Sequence, residues 1–214
     1  MIDILRDRLE RGDFGVATSL DDVGFDWQVG LTKLTLHKGD ILQYAPTHVS
    51  KVIANIPYYI TSPILFRFLY EVEHASTEMI VLMQQEVGDK IRCARGEKSS
   101  YLSTALGHAC ASITEVMKVG SANFVPPPRV ESSVLHFVST PGRDRTIDTE
   151  FLRVLGAWYL HPRKLLASNL AEGLGIDKSK ILTVLWGLWH LPTVRAGELG
   201  EEGWRVVGEG LKDL

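Results

Sequence analysis

The sequence predicts an α/β protein, in which a doubly wound sheet with helices is followed by a small all-helical domain. Two patterns support this prediction. Short apolar, β-branched runs alternate with helical patterns through the first two thirds of the chain, which is typical of a doubly wound sheet. After the polar segment 139–144, every apolar pattern has helical spacing. We therefore predict one domain over residues 1–142 and a helical domain over residues 143–214.

Composition excludes several classes of protein. The chain has 214 residues, of which 45% are hydrophobic and 23% charged, so it is long enough to bury a core. It has no apolar run near the roughly 20 residues of a membrane span, and its start lacks the order of a secretory signal. Cys93 and Cys110 are too few for a disulfide framework, and no two of the seven histidines have the i, i+4 spacing of a metal-binding helix. We expect reduced thiols, no metal and a cytoplasmic location.

The net charge of −3 argues weakly against a nucleic-acid partner, because nucleic-acid-binding domains are usually basic. The charge is uneven, however. Residues 1–30 contain three arginines and seven acids, which leaves 20 basic and 19 acidic residues (23 − 3 and 26 − 7) in the rest of the chain. The overall charge balance therefore excludes no class of partner, and only local patches of charge are informative.

The individual elements follow from apolar periodicity. Strands are predicted at residues 31–37, 51–55, 78–83, 113–119 and 133–138. Helices are predicted at residues 2–9, 62–69, 86–95, 101–109, 151–170, 178–189 and 201–211. The second helix is predicted to begin with Ser62 as its cap and Pro63 at its first position. The stretch 12–30, rich in glycine and aspartate, is predicted to be a loop, and the last two strands an antiparallel pair at the edge of the sheet.

The strongest chemical signal is residues 55–58 (Asn-Ile-Pro-Tyr), at the end of the buried strand 51–55. Ligands of open α/β sheets bind at the carboxyl ends of the strands. On these residues alone a second interpretation stays open. The segment could be a plain strand-to-helix turn, in which proline fixes φ and the tyrosine packs on the surface.

One reaction needs these residue types. The exocyclic amine of adenine is a poor nucleophile, because its lone pair is delocalised into the ring. The amide oxygen of Asn55 and the backbone carbonyl of Ile56 can accept hydrogen bonds from its two N–H groups, so that the lone pair points at an electrophilic methyl group. Pro57 would hold that carbonyl, and Tyr58 would offer a ring on which an extruded base can stack.

Residues 55–64 closely resemble the target-base motif of the ribosomal RNA adenine dimethyltransferases (the KsgA type). The resemblance extends over nearly all of residues 31–214. It continues through residues 83–87, 96–102, 123–134, 161–164, 169–170 and 195–199. Amino-methyltransferases in general share the first four residues. The triple proline at 126–128 with its Val-Glu-Ser continuation is much more specific.

The resemblance implies a Rossmann-like methyltransferase sheet, incomplete at its N-terminus, with a small C-terminal all-helical domain. It implies transfer of methyl groups from S-adenosyl-L-methionine to the N6 amines of two adjacent adenines of small-subunit (16S) ribosomal RNA, in ribosome biogenesis. The implied partners are that RNA and the immature small subunit, with the protein acting as a monomer.

The resemblance also assigns roles to individual residues. Asn55, Pro57 and Tyr58 would form the methyl-transfer pocket. Asp40, Ile41 and Asn55 would bind the cofactor. Asp40 would accept a hydrogen bond from the cofactor's adenine amine, although it could equally cap the end of its strand.

RNA contacts are implied as well. Tyr58 and Phe124 would contact the target base from opposite faces, and the triple proline would preset the second ring. On sequence alone Phe124 could equally be a core aromatic. Candidate phosphate contacts are Arg129, Arg163 and Lys164, with Arg92, Arg95 and Lys98 as further ones.

The chain departs from the family's pattern at its beginning. Family members start with a strand, a glycine-rich turn and an acidic residue that hold the cofactor, and we expect this segment to be missing here. Two other functions therefore stay open. One is a catalytically inactive, RNA-binding ribosome assembly factor. The other is a methyltransferase acting on large-subunit RNA or DNA adenines, which the matches at residues 163–164 and 195–199 disfavour.

Overall fold

The computed structural model describes residues 16–20, 24–29, 32–37, 39–44, 46, 49–72, 78–92, 99–189, 193–195, 198, 206–207 and 211. The chain divides into two compact units, residues 1–45 and residues 46–214. Among the described residues, no helix is both long enough and apolar enough to cross a membrane. The same residues contain no cluster of three or more His, Cys, Asp or Glu side chains that could hold a metal ion.

The first unit contains an antiparallel sheet of three strands in chain order. Its strands are β1 (Val16–Leu20), β2 (Gly24–Val29) and β3 (Thr32–His37). β3 confirms the predicted strand, whereas the loop predicted over residues 12–30 is wrong where β1 and β2 lie. The reason is visible in β2, where Phe25, Trp27 and Val29 alternate with polar residues. This period of two favours a strand despite the nearby glycines and aspartates.

The second unit is built on a sheet with the strand order β4-β5-β7-β6. Its strands are β4 (Lys51–Asn55), β5 (Glu78–Gln84), β6 (Cys110–Val119) and β7 (Ser132–Ser139). β4 and β5 are parallel, while β7 is antiparallel to both β5 and β6. The four predicted strands and the antiparallel final pair are confirmed. β7 starts where β5 ends, so the carboxyl ends of β4, β5 and β6 share one edge with the start of β7.

Helices of the second unit flank this sheet. They begin with α1 (Thr61–Phe66), which continues as a π-helical turn over Arg67–Glu71, and go on with α2 (Gln85–Ile91) and α3 (Tyr101–Ala109). The predicted start of α1 is wrong, because Ile60 takes the N-cap position and Ser62 lies inside the first turn. α2 ends four residues before its predicted end. The bounds of α3 are confirmed, and Ser100 and Ser103 cap each other's backbone N–H groups at 3.1 and 2.8 Å.

The last part of the chain is helical, as predicted. Its helices are α4 (Arg145–Trp158), α5 (Leu166–Leu174) and α6 (Lys178–Trp189), and they share a core of their own around Trp158 and Leu166. The single helical pattern over residues 151–170 is wrong, since residues 159–165 form a loop between α4 and α5. The helix predicted at 2–9 and most of the one at 201–211 lie outside the described residues. The domain boundary after residue 142 stays a prediction.

A buried polar cluster joins α4 to α3 and to the π-helical turn. Asp148 of α4 is 5% exposed, and its two carboxylate oxygens lie 2.9 Å from His108 Nε2 and 3.4 Å from Arg143 Nη2. The Arg143 guanidinium also donates to the carbonyl of Leu69 and lies 4.8 Å from the centre of the Tyr70 ring. The first turn of α4 is thus held to the end of the π-helical turn and to α3.

Replacing Asp148 with Asn is expected to lower the free energy of unfolding by about 3 kcal/mol, because the 12%-exposed Arg143 would keep its charge but lose its carboxylate. Glu150→Gln is the matched control on the same helix. It breaks a pair with Arg153 in which both side chains are about half exposed, so we expect a loss of about 0.5 kcal/mol or less. Urea denaturation measures both. Equal losses for the two variants would contradict the role given to the cluster.

Candidate active site at the carboxyl end of β4

The segment 55–58 lies where the sequence predicts it. Asn55 is the last residue of β4, opposite Leu82 of the parallel strand β5. Asn55 is exposed, so its amide is not part of the packed interior. Pro57 has φ −58° and ψ 133° and leads into a 3-10 turn over Tyr58–Ile60, in which the N–H of Ile60 donates to the Pro57 carbonyl at 3.1 Å. The segment therefore presents an exposed amide beside a turn of fixed geometry.

Tyr58 is held at both ends. Its carbonyl accepts from Thr61 Oγ1 at 3.0 Å, which ties its backbone to the start of α1. Its hydroxyl shares a 2.7 Å hydrogen bond with the hydroxyl of Ser132, the first residue of β7. Ser132 is fully buried, whereas the tyrosine is partly buried. One end of the ring is therefore anchored in the sheet, so that a face of the ring can stay available for stacking.

Phe124 lies in the connection between β6 and β7, directly after a 3-10 turn over Ser121–Asn123. Its N–H donates to the carbonyl of Ser121 at 3.2 Å. The carboxylate of Glu131 accepts from the Ser121 N–H at 3.2 Å and from the Ser121 hydroxyl at 3.4 Å. Phe124 is half-buried, and the following Val125 is fully exposed. The turn before the ring is thus closed by an acidic side chain from the far end of the same connection.

Sheet topology brings the two motifs to one edge. Ser132 is in register with Gln84 at the end of β5 and with Val119 at the end of β6. The N–H of Gln85 donates to the carbonyl of Glu131 at 3.0 Å. Both the Asn-Ile-Pro-Tyr segment and the triple-proline segment therefore meet the sheet where its parallel strands end, which is the expected place for a ligand.

Asp40 and Ile41 belong to the first unit. Asp40 caps a turn, because Oδ1 accepts from the Leu42 N–H at 2.9 Å and its carbonyl accepts from Gln43 and Tyr44 at 3.0 and 3.1 Å. These bonds lie within the turn that follows β3, so the strand-end cap and the cofactor contact both stay predictions. Oδ2 of this exposed carboxylate takes no part in these bonds, and Ile41 beside it is 38% exposed. An acceptor for an amine next to an apolar surface fits the adenine end of a nucleoside cofactor.

The candidate phosphate contacts differ in their surroundings. Arg129 and Arg163 are exposed, while Lys164 forms an ion pair with Glu172 at 3.0 Å. His161 and Lys164 both bond to Glu172 and hold the pKa of its carboxyl below the usual value. Arg92 bridges Asp89 and Glu115 at 2.8 and 2.6 Å and so fastens α2 to β6. Arg95 and Lys98 lie outside the described residues.

The loop 159–165 that carries Arg163 and Lys164 is tightly held. The buried Asn169 of α5 donates through Nδ2 to the carbonyls of Trp158 and His161, at 2.8 and 3.0 Å. The last residue of the loop, Leu165, pairs with Arg195 in an antiparallel bridge. Two of the segments named in the sequence resemblance, 161–164 and 195–199, are therefore neighbours in the fold.

Four residues with structural roles at the site received none from sequence reasoning. Glu131 and Ser132 lie within the matched segment 123–134, and Thr61 lies within the matched segment 55–64. Asn169 lies in the matched pair 169–170. The sequence signal for these four residues was that each lies in a segment that resembles the family. Most of their partners could not be identified from sequence, because the bonds of Ser132 and Asn169 reach across the sheet or between helices, and the bonds of Glu131 reach back to Ser121.

A family model described as ribosomal RNA adenine dimethylase matches residues 25–183 of the chain. The chain belongs to the ribosomal RNA adenine dimethylase family. The predicted family membership is therefore confirmed, and with it the enzyme class, which is that of the methyltransferases.

Relatives in this family are about one third identical to the chain over the aligned residues. It is 31% identical over 211 residues to the ribosomal RNA small subunit methyltransferase A of Dehalococcoides mccartyi (strain CBDB1), covering 93% of this chain and 72% of the relative. It is 33% identical over 185 residues to the protein of the same name from Desulfitobacterium hafniense (strain DSM 10664 / DCB-2), covering 86% of this chain and 66% of the relative.

Solved structures confirm the Rossmann-like methyltransferase fold. A dimethyladenosine transferase from Plasmodium falciparum superimposes with a TM-score of 0.68 at 21% identity, over 80% of this chain and 70% of that one. The 23S rRNA methyltransferase ErmE superimposes with a TM-score of 0.60 at 18% identity, over 80% of this chain and 69% of that one. At these identities the likeness concerns the fold alone.

Packing of α5 on α4 positions the loop 159–165, and Gly173 permits that packing. A Cβ at Gly173 would lie 2.5 Å from Cβ and 2.6 Å from Cα of Ala157. We expect Gly173→Ala to lower the free energy of unfolding by about 2 kcal/mol through overpacking. At Gly187 in α6 a Cβ would meet nothing within 4 Å, so Gly187→Ala should be neutral or stabilise by up to about 1 kcal/mol. Urea denaturation of both variants tests this, and equal effects would contradict the close approach.

Proposed function

We propose that this member of the ribosomal RNA adenine dimethylase family transfers methyl groups from S-adenosylmethionine to the N6 amines of two adjacent adenines in small-subunit (16S) ribosomal RNA. It acts in the cytoplasm, as a monomer, on the immature small subunit. The observation that carries the proposal is the exposed amide of Asn55 at the carboxyl end of β4, next to a tyrosine bonded to the second motif. The names of the relatives from D. mccartyi and D. hafniense support the choice of the small subunit.

The chain's own residues position the target nitrogen. The amide oxygen of Asn55 and the carbonyl of Ile56 accept hydrogen bonds from the two N–H groups of the adenine amine. Tyr58 and Phe124 stack on the extruded base. S-adenosylmethionine, when bound, supplies an electrophilic methyl carbon attached to a sulfonium. Transfer would form a bond between that carbon and N6 and break the carbon–sulfur bond, whose electron pair would stay on sulfur, while the amine would release one proton to water. Because the residues act by orientation and by accepting hydrogen bonds, the site needs no strong base.

Asp40 and Ile41 would hold the adenine end of the cofactor. The free oxygen of the Asp40 carboxylate accepts from the adenine amine, and Ile41 lies against the ring. The turn over residues 40–44 fixes the carboxylate beforehand, since Oδ1 is already bonded to the Leu42 N–H. The contact with the cofactor would use Oδ2, because Oδ1 is bonded within the turn.

Arg129, Arg163 and Lys164 would contact RNA phosphates. Lys164 is about half exposed in its pair with Glu172, and such exposed pairs contribute little, so a phosphate can replace the carboxylate. Contacts of this kind add affinity without reading sequence, and they weaken as salt concentration rises. Selection of the two adenines would then depend on the shape of the RNA.

Methyl transfer to immature small subunits, followed with labelled S-adenosylmethionine, tests the proposal. Asn55→Ala should slow transfer by about a hundredfold or more, because one acceptor for the developing charge is lost. Lys51→Ala is the matched control, since Lys51 is an exposed residue at the opposite end of the same strand, paired with Glu78 at 2.8 Å. It should methylate as the unaltered chain does. Normal transfer by the Asn55 variant would refute the assigned role.

Mapping the modified bases and measuring cofactor binding decide between the remaining functions. Two adjacent dimethylated adenines in small-subunit RNA are expected, and methylation confined to large-subunit RNA would overturn the choice of substrate. Calorimetry should show binding of S-adenosylmethionine at micromolar concentrations. A chain that binds immature subunits but does not bind the cofactor and transfers no methyl group would be an assembly factor instead.

A further inference from the structure

We propose that Glu131 and Ser132 are positioning residues, which together set the distance and angle between the rings of Tyr58 and Phe124. The identity of the base between the rings rests on the proposed function. The positioning itself rests on contacts within the chain.

Ser132 fixes the first ring. Its hydroxyl is fully buried and lies 2.7 Å from the hydroxyl of Tyr58, 74 residues earlier in the chain. A rotation of the tyrosine that broke this bond would leave a buried hydroxyl without its partner, which is unfavourable. The bond therefore restricts the ring to orientations that keep its hydroxyl at the start of β7.

The neighbouring serine shows that burial alone does not account for this bond. Ser133 is as fully buried as Ser132, yet within the described part of the chain its hydroxyl has no hydrogen-bond partner. Burial at this depth of the sheet therefore does not by itself provide a hydroxyl with a partner. The partnership of Ser132 with Tyr58 is specific to the position that faces the candidate site.

Glu131 fixes the second ring. Its carboxylate accepts from both the N–H and the hydroxyl of Ser121, which closes the turn immediately before Phe124. Its own backbone is anchored, because its carbonyl accepts from the Gln85 N–H at the end of β5. The turn and the tyrosine hydroxyl are therefore both held at the edge where β5 ends and β7 starts.

Two consecutive residues thus connect both rings to one point of the sheet. Ser132 is in register with Gln84 and Val119, so the dipeptide is held by strands on both sides. A base stacked between the rings would meet a gap of preset width and angle. Orientation of the adenine nitrogen relative to Asn55 would follow from that gap, and errors in it should affect the methyl-transfer step more than RNA affinity.

A double-mutant cycle tests the Ser132 part, since Ser132→Ala and Tyr58→Phe each remove one partner of the same hydrogen bond. Each should slow single-turnover methylation of small subunits about tenfold at saturating RNA, with RNA affinity nearly unchanged. The double variant should be about as slow as either single one, because both remove one interaction. Ser133→Ala is the control and should stay within about twofold. Multiplying effects, or a Ser132 variant as fast as the unaltered chain, would overturn the proposal.

The Glu131 part has a rescue variant. Glu131→Ala should slow the methyl-transfer step about fivefold without a matching rise in KM, because the turn before Phe124 loses its acceptor. Glu131→Gln keeps a carbonyl oxygen for the Ser121 N–H and should recover most of that rate. A Gln variant as slow as the Ala variant would show that charge, not the turn, explains the loss and would contradict positioning by Glu131.

Fluorine NMR of the chain labelled with 3-fluorotyrosine separates positioning from activity. The Tyr58 resonance is the one that Tyr58→Phe removes. It should shift in Ser132→Ala and stay in place in Ser133→Ala. If the unaltered chain methylated no small-subunit RNA, the proposed function would fail while this spectrum still decided the positioning. An unmoved Tyr58 resonance in Ser132→Ala would refute it whatever the activity.

Discussion

The hydrogen bond between the hydroxyls of Tyr58 and Ser132 is the contact on which the candidate site depends. It joins two segments 74 residues apart, and it can form only because β7 runs antiparallel to β5 and starts where β5 ends. If β7 were parallel to its neighbour, the triple-proline segment would enter the sheet at the opposite edge. The direction of one strand therefore decides whether the two motifs share a site.

Much of this arrangement could be predicted from sequence, because buried strands have a local signature. β4 and β5 are short β-branched or apolar runs, and the last two strands follow one another without a helix, which favours an antiparallel pair. One local signal acts against the apolar pattern. That pattern continues through residues 159–165, yet the helix stops at Trp158, because the ring of Pro162 would clash with the carbonyl of residue 158 in a continuous helix. The buried Asn169 donates to that carbonyl and to the carbonyl of His161. Composition also misled, since glycine and aspartate in the stretch 12–30 hid the alternation within β2.

In the candidate site, residues with a local signal could be predicted, and residues whose roles depend on distant partners could not. Asn55, Pro57 and Tyr58 could be singled out because they follow a buried strand directly, and strand ends bind ligands in this class of fold. The roles of Glu131 and Ser132 could not be found, because each depends on a partner that only the sheet register brings close. Asp40 was left between two interpretations. In the structure its Oδ1 bonds within the turn that follows β3, which excludes neither a cap nor a cofactor contact through Oδ2.

Strongly shifted pKa values often mark catalytic groups, but here they mark packing. Burial raises the pKa of the Cys110 thiol to about 12 and that of the Tyr70 phenol above its usual value. Tyr70 contacts Arg143 in the cluster that joins α4 to α3 and to the π-helical turn. Asn55, Ile56 and Phe124, in contrast, offer only an amide, a carbonyl and a ring. Methylation of an amine by a sulfonium requires orientation of a lone pair and not a poised base, so a site without such a base suits the reaction. Positive charge is instead carried by Arg129 and by the loop 159–165, which we propose as the contacts with RNA phosphates.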